Sequence, residues 1–187
     1  MTNTPSHDYA PNPSPAPAPL LSPASPRDFA NIAEFINRDV NPQFAAVLTS
    51  EEAREIAETE SEESIRRGAE NGYAYWVSRD EGGRIAALAN WRRKNETAAY
   101  LGGLYVRKGR QGGGIGTRLL REIEGAVKAQ GYRYLLLETQ KKFTWAVAFY
   151  RNNKYAELTN ENLAASPFAQ AYPRGLVESS VMFYKSV

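Results

Sequence analysis

A cluster of four glycines is the part of this sequence best suited to binding chemistry. It reads Gly-Gly-Gly-Ile-Gly over residues 112–116 and directly follows Gln111. Apolar periodicity predicts a helix from Ile115, and glycines at a helix start let unpaired backbone N–H groups approach an anion closely. Consecutive N–H groups in such a turn form a concave site for phosphate. The cluster therefore predicts that the protein binds a phosphorylated small molecule.

Two known phosphate-binding motifs compete for this cluster. A nucleotide-binding P-loop requires a lysine directly after its second glycine, but Ile115 follows Gly114 here, so this motif is excluded. A dinucleotide-binding turn matches Gly112 and Gly114 but has Thr117 in place of the third glycine. A predicted three-stranded meander also precedes the cluster, which is unusual for that turn. The dinucleotide motif therefore stays as the less favoured alternative.

The composition excludes other kinds of active site. The 187-residue chain has no cysteine and a single histidine, His7, in a proline-rich segment. The folded part therefore has no thiolate nucleophile, no Ser-His-Asp triad and no histidine or cysteine metal site. A net charge of +2 does not indicate nucleic acid or an anionic membrane as a partner. No apolar run reaches the ~18 residues of a membrane helix, and no signal peptide pattern is present, so we expect a cytoplasmic protein.

Proline content divides the chain into two parts. Eight of the eleven prolines fall within residues 1–26, mostly spaced by alanine, serine or asparagine. Such a segment cannot bury enough apolar surface to fold, which predicts a disordered tail. We expect residues 27–187 to form one domain.

Apolar periodicity predicts the order of elements in this domain: two helices, a three-stranded meander, a helix, a central strand, a helix and two final strands. The helices are predicted at 29–36, 49–67, 115–130 and 144–152, and the strands at 73–78, 84–91, 98–106, 132–138, 155–159 and 178–185. Residues 160–175 are predicted to be a long loop. The strand at 132–138 has too many consecutive apolar residues to be half-exposed, so we expect a central strand reached by a βαβ crossover.

Two motifs within this order of elements carry a family resemblance. The first is Gln111-Gly-Gly-Gly-Ile-Gly116, and the second, further along the chain, is Ala146-Val-Ala-Phe-Tyr-Arg-Asn-Asn-Lys-Tyr155. From residue 27 to the C-terminus the chain resembles the GNAT superfamily of acyl-CoA-dependent N-acyltransferases. The resemblance implies an α/β fold of mixed α+β character. Its central mixed, mostly antiparallel sheet would have about six or seven strands, about four flanking helices and a splayed strand pair at the cofactor site.

The resemblance implies that acetyl-CoA is the cosubstrate and that its pyrophosphate lies on the glycine turn. The N–H groups that would hold it belong to Gln111, Gly112, Gly113, Gly114, Gly116 and Thr117. Backbone groups of Leu104, Tyr105 and Val106 would pair with the pantetheine arm and donate to the thioester carbonyl. The adenosine 3′-phosphate would meet Arg107, Lys108 or Arg110.

The implied reaction is acetyl transfer to a primary amine by direct attack, with Tyr150 as the general acid for the leaving thiolate. The family often has a glutamate on its fourth strand, beside the position that Tyr100 occupies here. The base is therefore a remaining carboxylate, Glu138 or Glu96, acting directly or through water. The acceptor is a small-molecule amine or a protein amino group, and a homodimer remains open. A non-catalytic acyl-CoA sensor is the alternative function.

Overall fold

A seven-stranded sheet organises the part of the chain that the computed structural model describes, which is residues 21–44, 47–52, 54, 61–172 and 175–187. The strands are β1 (Leu21–Pro23), β2 (Ala74–Arg79), β3 (Ile85–Arg93), β4 (Ala98–Val106), β5 (Tyr134–Gln140), β6 (Ala156–Leu158) and β7 (Ser180–Ser186). Their order in the sheet is β1-β2-β3-β4-β5-β7-β6. Neighbours are antiparallel except β4 and β5, which are parallel. The predicted mixed, mostly antiparallel sheet is confirmed.

Helices cover both faces of this sheet. They are α1 (Phe29–Phe35), α2 (Asn41–Phe44), α3 (Glu62–Glu70), α4 (Ile115–Ala129), α5 (Thr144–Asn152) and α6 (Asn160–Leu163), with a π-helical turn at Ile36–Val40 between α1 and α2. Pro42 lies two residues after the end of that turn and has no N–H to continue the regular series of helical hydrogen bonds. A widened turn at this point is the local adjustment that such a break favours.

The sheet begins earlier than the predicted start of the domain. Strand β1 (Leu21–Pro23) pairs with Trp76, Val77 and Ser78 of β2, so the sheet includes residues that precede residue 27. Pro23 is compatible with this position because an edge strand leaves one side of its backbone unpaired. The remainder of the predicted tail, residues 1–20, lies outside the described residues.

The prediction of a single helix over residues 49–67 was wrong. Thr49 begins a helical turn with the expected reciprocal cap, since its N–H donates to Glu52 at 2.7 Å and its hydroxyl accepts from the Glu52 N–H at 3.2 Å. Ser61, however, has extended backbone (φ −91°, ψ 162°), and its side chain caps α3 by accepting from the Ser64 N–H. Serine favours a cap over a helix interior because its hydroxyl binds backbone N–H groups. Residues 53 and 55–60 lie outside the described residues.

The predicted loop at 160–175 begins with a helix instead. Thr159 and Asn162 form a reciprocal cap for α6, and Leu163 of that helix is buried. Short segments with a good cap and one buried anchor fold as single helical turns, which apolar periodicity does not detect.

Two helices pack on one face of the sheet, which we call the α4 face. There α4 buries Leu119, Leu120, Ile123 and Val127 completely, as predicted. Each such side chain contributes about 1.5–3 kcal/mol of hydrophobic stabilisation. Helices α1 and α3 cover the opposite face, together with a separate cluster around Phe168. Residues Leu135–Leu137 of β5 are buried from both sides, which confirms a central strand joined to β4 by the α4 crossover.

Strands β4 and β5 diverge halfway along their length. They pair only from Ala98 with Tyr134 to Leu101 with Leu137. Beyond this point β4 stays with β3, and β5 stays with β7. The register of β3 and β4 shifts at Gly102, which is the extra residue of a bulge, and bulges bend and twist their strand. The predicted splayed pair is confirmed.

We expect Gly102→Ala to destabilise the fold by about 1–3 kcal/mol through overpacking. A Cβ atom there would lie 2.3 Å from Asn90 Oδ1 and 2.7 Å from the Tyr73 ring. Gly125→Ala is the matched control, because nothing lies within 4 Å of a Cβ at this helical position and alanine favours the helix by about 1 kcal/mol. Urea unfolding measures both, and equal unfolding free energies for the two variants would contradict this account of the bulge.

Candidate active site

The gap between the diverging strands opens into a cleft of about 1020 Å³. It brings together most of the predicted site residues: Leu104, Tyr105, Val106, Gln111, Gly112, Gly114, Gly116, Thr117, Glu138 and Tyr150. Gly113 does not line the cleft. Glu96 lies in the turn before β4, at the opposite end of that strand from the gap, so this alternative base is not at the site.

The glycine cluster has the backbone geometry that an anion site requires. Gly112 and Gly114 have φ of 84° and 75°, in the left-handed region that favours glycine. Gly114 is the N-cap of α4, and the first-turn residues Ile115, Gly116 and Thr117 line the cleft. The N–H groups of this first turn have no partner within the helix. The positive end of a fifteen-residue helix therefore faces the cleft.

The pairing of β4 with β3 fixes which way the backbone groups point in the three residues predicted to meet the pantetheine arm. The Arg107 N–H donates to the Ala86 carbonyl at 2.9 Å, and backbone groups alternate in direction along a strand. The backbone groups of Tyr105 therefore pair with β3, whereas those of Leu104 and Val106 point into the gap. This corrects the prediction for the Tyr105 backbone. Its side chain packs on the opposite face, edge-on to Phe44 at 6.4 Å.

Two glutamine side chains meet at the Val106 carbonyl. The amide nitrogen of Gln43 lies 3.3 Å from this oxygen, and that of Gln111 lies 3.4 Å from it. Gln111 also donates to the Gln43 carbonyl oxygen at 2.5 Å. The Val106 carbonyl therefore faces the cleft, and its two lone pairs accept from glutamine amides that a ligand amide would have to replace.

Tyr150 is held rigidly at the edge of the cleft. Its ring packs against Phe149, Tyr155 and Phe183 with centroids 5.2–5.7 Å apart, and the residue is 7% exposed. Burial raises the pKa of Tyr150 well above its usual value, with a smaller contribution from nearby tyrosines. No residue in the described part of the chain forms a hydrogen bond with the Tyr150 hydroxyl. Tyr150 is thus a neutral donor in contact with the cleft.

Glu138 reaches the same cleft from the other side of the sheet. Side chains alternate along β5, and Leu137 faces α4, so Glu138 lies on the opposite face together with Tyr100. Glu138 is exposed at the end of the paired region, where the strands separate. Burial and this carboxylate raise the pKa of the Tyr100 hydroxyl. The cleft therefore passes through the sheet, with Tyr150 on one side and Glu138 on the other.

Arg107 is not available to a phosphate. Its Nη1 lies 2.7 Å from Asp80 and its Nε 3.6 Å from Asp39, and its side chain is 12% exposed. Backbone and guanidinium hydrogen bonds lower the pKa of Asp80, which keeps it an anion. Arg107 therefore anchors the glycine loop to the turn after β2. Lys108 and Arg110 line the cleft instead and remain candidates for the 3′-phosphate.

An aromatic wall crosses the mouth of the cleft. Phe44 of α2 packs on Phe143 with ring centroids 4.9 Å apart, and Phe143 packs on Trp145 with centroids 5.3 Å apart. Sequence reasoning missed Gln43 and Phe44 because they carry no motif and are distant from the glycine loop in the chain.

An ion pair lies beside these aromatic rings. Lys142 Nζ is 2.5 Å from Glu52, and hydrogen bonds from Lys142 and Thr49 lower the pKa of Glu52 to about 2.

Comparison with known proteins identifies the family. The family model of the GNAT acetyltransferases matches residues 34–155, which is more than half of the chain, so the protein belongs to this family. The family uses acetyl-CoA as its cosubstrate. Membership excludes the dinucleotide alternative, and the structure agrees, since only β4 and β5 are parallel among the described strands. No curated protein matches the chain at a significant level of sequence similarity.

Solved structures share this fold at low sequence identity. The PaiA N-acetyltransferase of Thermoplasma acidophilum, solved in complex with coenzyme A, has a TM-score of 0.72 at 17% identity, over 90% of this chain and 98% of that one. A GCN5-related N-acetyltransferase from Rhodopseudomonas palustris gives 0.67 at 18% identity, over 91% and 97%. A GNAT acetyltransferase from Staphylococcus aureus gives 0.65 at 18%, over 90% and 99%. Within the described residues, no helix is both long and apolar enough to cross a membrane.

We expect Gly114→Ala to weaken coenzyme A binding by about 5- to 30-fold, because alanine disfavours the left-handed cap by roughly 1–2 kcal/mol. Gly109→Ala is the matched control: Gly109 also has positive φ, at 84°, but does not line the cleft. Calorimetric titration with coenzyme A gives both affinities, and thermal unfolding gives both stabilities. Similar losses of stability with equal coenzyme A affinities would show that the Gly114 turn does not hold the cofactor.

Proposed function

We propose that this protein transfers the acetyl group of acetyl-CoA to a primary amine by direct attack. The observation that carries the proposal is the arrangement across the gap between β4 and β5. The neutral Tyr150 hydroxyl and the Glu138 carboxylate enter one cleft from opposite faces of the sheet. Leu104 and Val106, whose backbone groups point into the gap, line the same cleft.

The cleft fits the shape and charge of coenzyme A. The unpaired N–H groups at the start of α4 suit the pyrophosphate, and Lys108 and Arg110 add positive charge nearby. The backbone groups of Leu104 and the Val106 N–H, which point into the gap, suit the amides of the pantetheine arm. At the Val106 carbonyl a pantetheine amide would replace a glutamine amide of the same chemistry. The related Thermoplasma protein, solved with coenzyme A, supports the same placement through its fold.

The chemistry follows from these positions. The acceptor ammonium loses a proton to Glu138, directly or through water, and the free amine attacks the thioester carbon. A backbone N–H of β4 that points into the gap stabilises the negative charge that develops on the thioester carbonyl oxygen. The C–S bond then breaks as the leaving thiolate takes the proton of the Tyr150 hydroxyl. The nitrogen of the collapsing intermediate gives its second proton to the Tyr150 phenolate, directly or through water, which yields the amide and restores the acid. Burial raises the proton affinity of the thiolate as well as that of the phenol, which keeps this transfer feasible.

An acyl-CoA sensor without turnover is the second candidate. The observation that favours it is Tyr100, which stands on β4 beside the place where the family often has a glutamate and so removes one carboxylate from the cleft. This candidate predicts coenzyme A binding with no thiol release in the presence of any amine.

We expect Tyr150→Phe to lower the rate of thiol release by about 10²–10⁴-fold, the usual contribution of a general acid. Coenzyme A affinity should change little, because the ring and its packing remain. Tyr155→Phe is the matched control, since Tyr155 packs against Tyr150 at 5.7 Å but donates its hydroxyl to Glu124 outside the cleft. If the two variants release thiol at the same rate, Tyr150 is not the acid.

We also expect kcat to show no alkaline decline below about pH 10, the usual pKa of a phenol. Burial raises the pKa of Tyr150, and an acid with a raised pKa keeps its proton to higher pH. The measurement is a pH–rate profile with saturating amine and acetyl-CoA. A decline between pH 8 and 10 that disappears in Tyr150→Phe would mean that this hydroxyl ionises in the ordinary range.

A further inference from the structure

Two cations stand beside the cleft on the face opposite α4. The Arg92 guanidinium lies 4.9 Å from the Tyr73 ring centroid, and Lys94 Nζ lies 4.8 Å from the Tyr172 centroid and 6.0 Å from that of Tyr100. In the register of β3 and β4, Arg92 is directly opposite Tyr100. Both cations are exposed. Neither forms a salt bridge with an acidic residue of the described part of the chain. Two unmatched positive charges therefore flank Tyr100, which itself lines the cleft.

One carboxylate faces these cations across the cleft. Glu138 lies on the same face, two residues beyond Leu136, which is the partner of Tyr100 in β5. Strand spacing and rise place the Cα atoms of Arg92 and Glu138 about 12 Å apart. Both side chains are long enough for one small zwitterion to contact the two charged groups at once.

The surface between the charges is neutral and polar. Tyr100 lines the cleft, and Tyr73 lines an adjoining cavity of about 240 Å³ that shares Gly102 and Tyr105 with it. In this cavity, the buried Asn90 Oδ1 has no hydrogen-bond partner among the described residues. An acceptor here therefore meets positive charge at one end, negative charge at the other and hydrogen-bonding groups between them.

We infer that the acceptor is a free amino acid, whose ammonium binds Glu138 and whose carboxylate binds Arg92 and Lys94. This deepens the proposed function and rests on it, since Glu138 then holds the same amine whose proton it removes. Arginine binds carboxylates through paired, charge-assisted hydrogen bonds. A polyamine or a lysine side chain would bring a second cation or no anion to Arg92 and Lys94, and like charges oppose such binding.

The test is equilibrium titration of the full chain with acceptors in the presence of coenzyme A, which has no acetyl group to transfer. The acceptors are the common amino acids, their carboxamides, which keep the ammonium but lose the anion, and their decarboxylated amines. We expect the best amino acid to bind about 10- to 100-fold more tightly than its carboxamide, as for a charge-assisted hydrogen bond. Arg92→Gln and Lys94→Gln should each reduce this preference by about 10-fold.

Arg93→Gln is the matched control. Arg93 is the next residue of β3, pairs with Ala99 on the α4 face and donates to the Asn95 carbonyl at 3.3 Å, so the preference should stay unchanged. Equal binding of acids and carboxamides, or tighter binding of carboxylate-free amines, would overturn the inference. Thiol release from acetyl-CoA with the best-bound acceptor tests the proposed function separately. Selective binding without release would overturn that function and leave the amino acid site in place.

Discussion

The divergence of β4 from β5 is the constraint on which the site depends. Parallel strands joined by a crossover helix usually remain paired, but here the pairing ends at Leu101 and Leu137. The bulge at Gly102 turns β4 away while each strand keeps its outer neighbour. The backbone groups of Leu104 and the N–H of Val106, which a continuous sheet would use internally, are thus left for a ligand, while the Val106 carbonyl accepts from two glutamine side chains. A Cβ atom at Gly102 would overlap the side chains of Asn90 and Tyr73, so the packing around the bulge favours glycine.

The opening gives the two sides of the sheet different chemical characters. On the α4 face, the start of a long helix and its basic loop favour an anion. On the opposite face, the tyrosines, Glu138 and two cations form a polar surface of mixed charge. Tyr150 contacts the passage between them and is fixed by aromatic packing, which also keeps its hydroxyl neutral.

Segments distant in the chain complete the site. Gln43 and Phe44 follow the π-helical turn of the N-terminal helices, yet they contact Val106 and Phe143. The bridge between Glu52 and Lys142 joins the same two regions at the mouth of the cleft. The N-terminal helices are therefore part of the binding site as well as a cover for the sheet.

The sequence by itself determined the features that depend on a few neighbouring residues. The left-handed turns at Gly112 and Gly114, the apolar stripe of α4 and the central position of β5 follow from local backbone preference and periodicity, and the structure has them. Only the tertiary structure decided which groups face the gap. The backbone direction of Tyr105 and the role of Arg107 depend on pairing with strands distant in sequence. A local pattern carries no information about such register, because shifting a strand by one residue reverses every group along it.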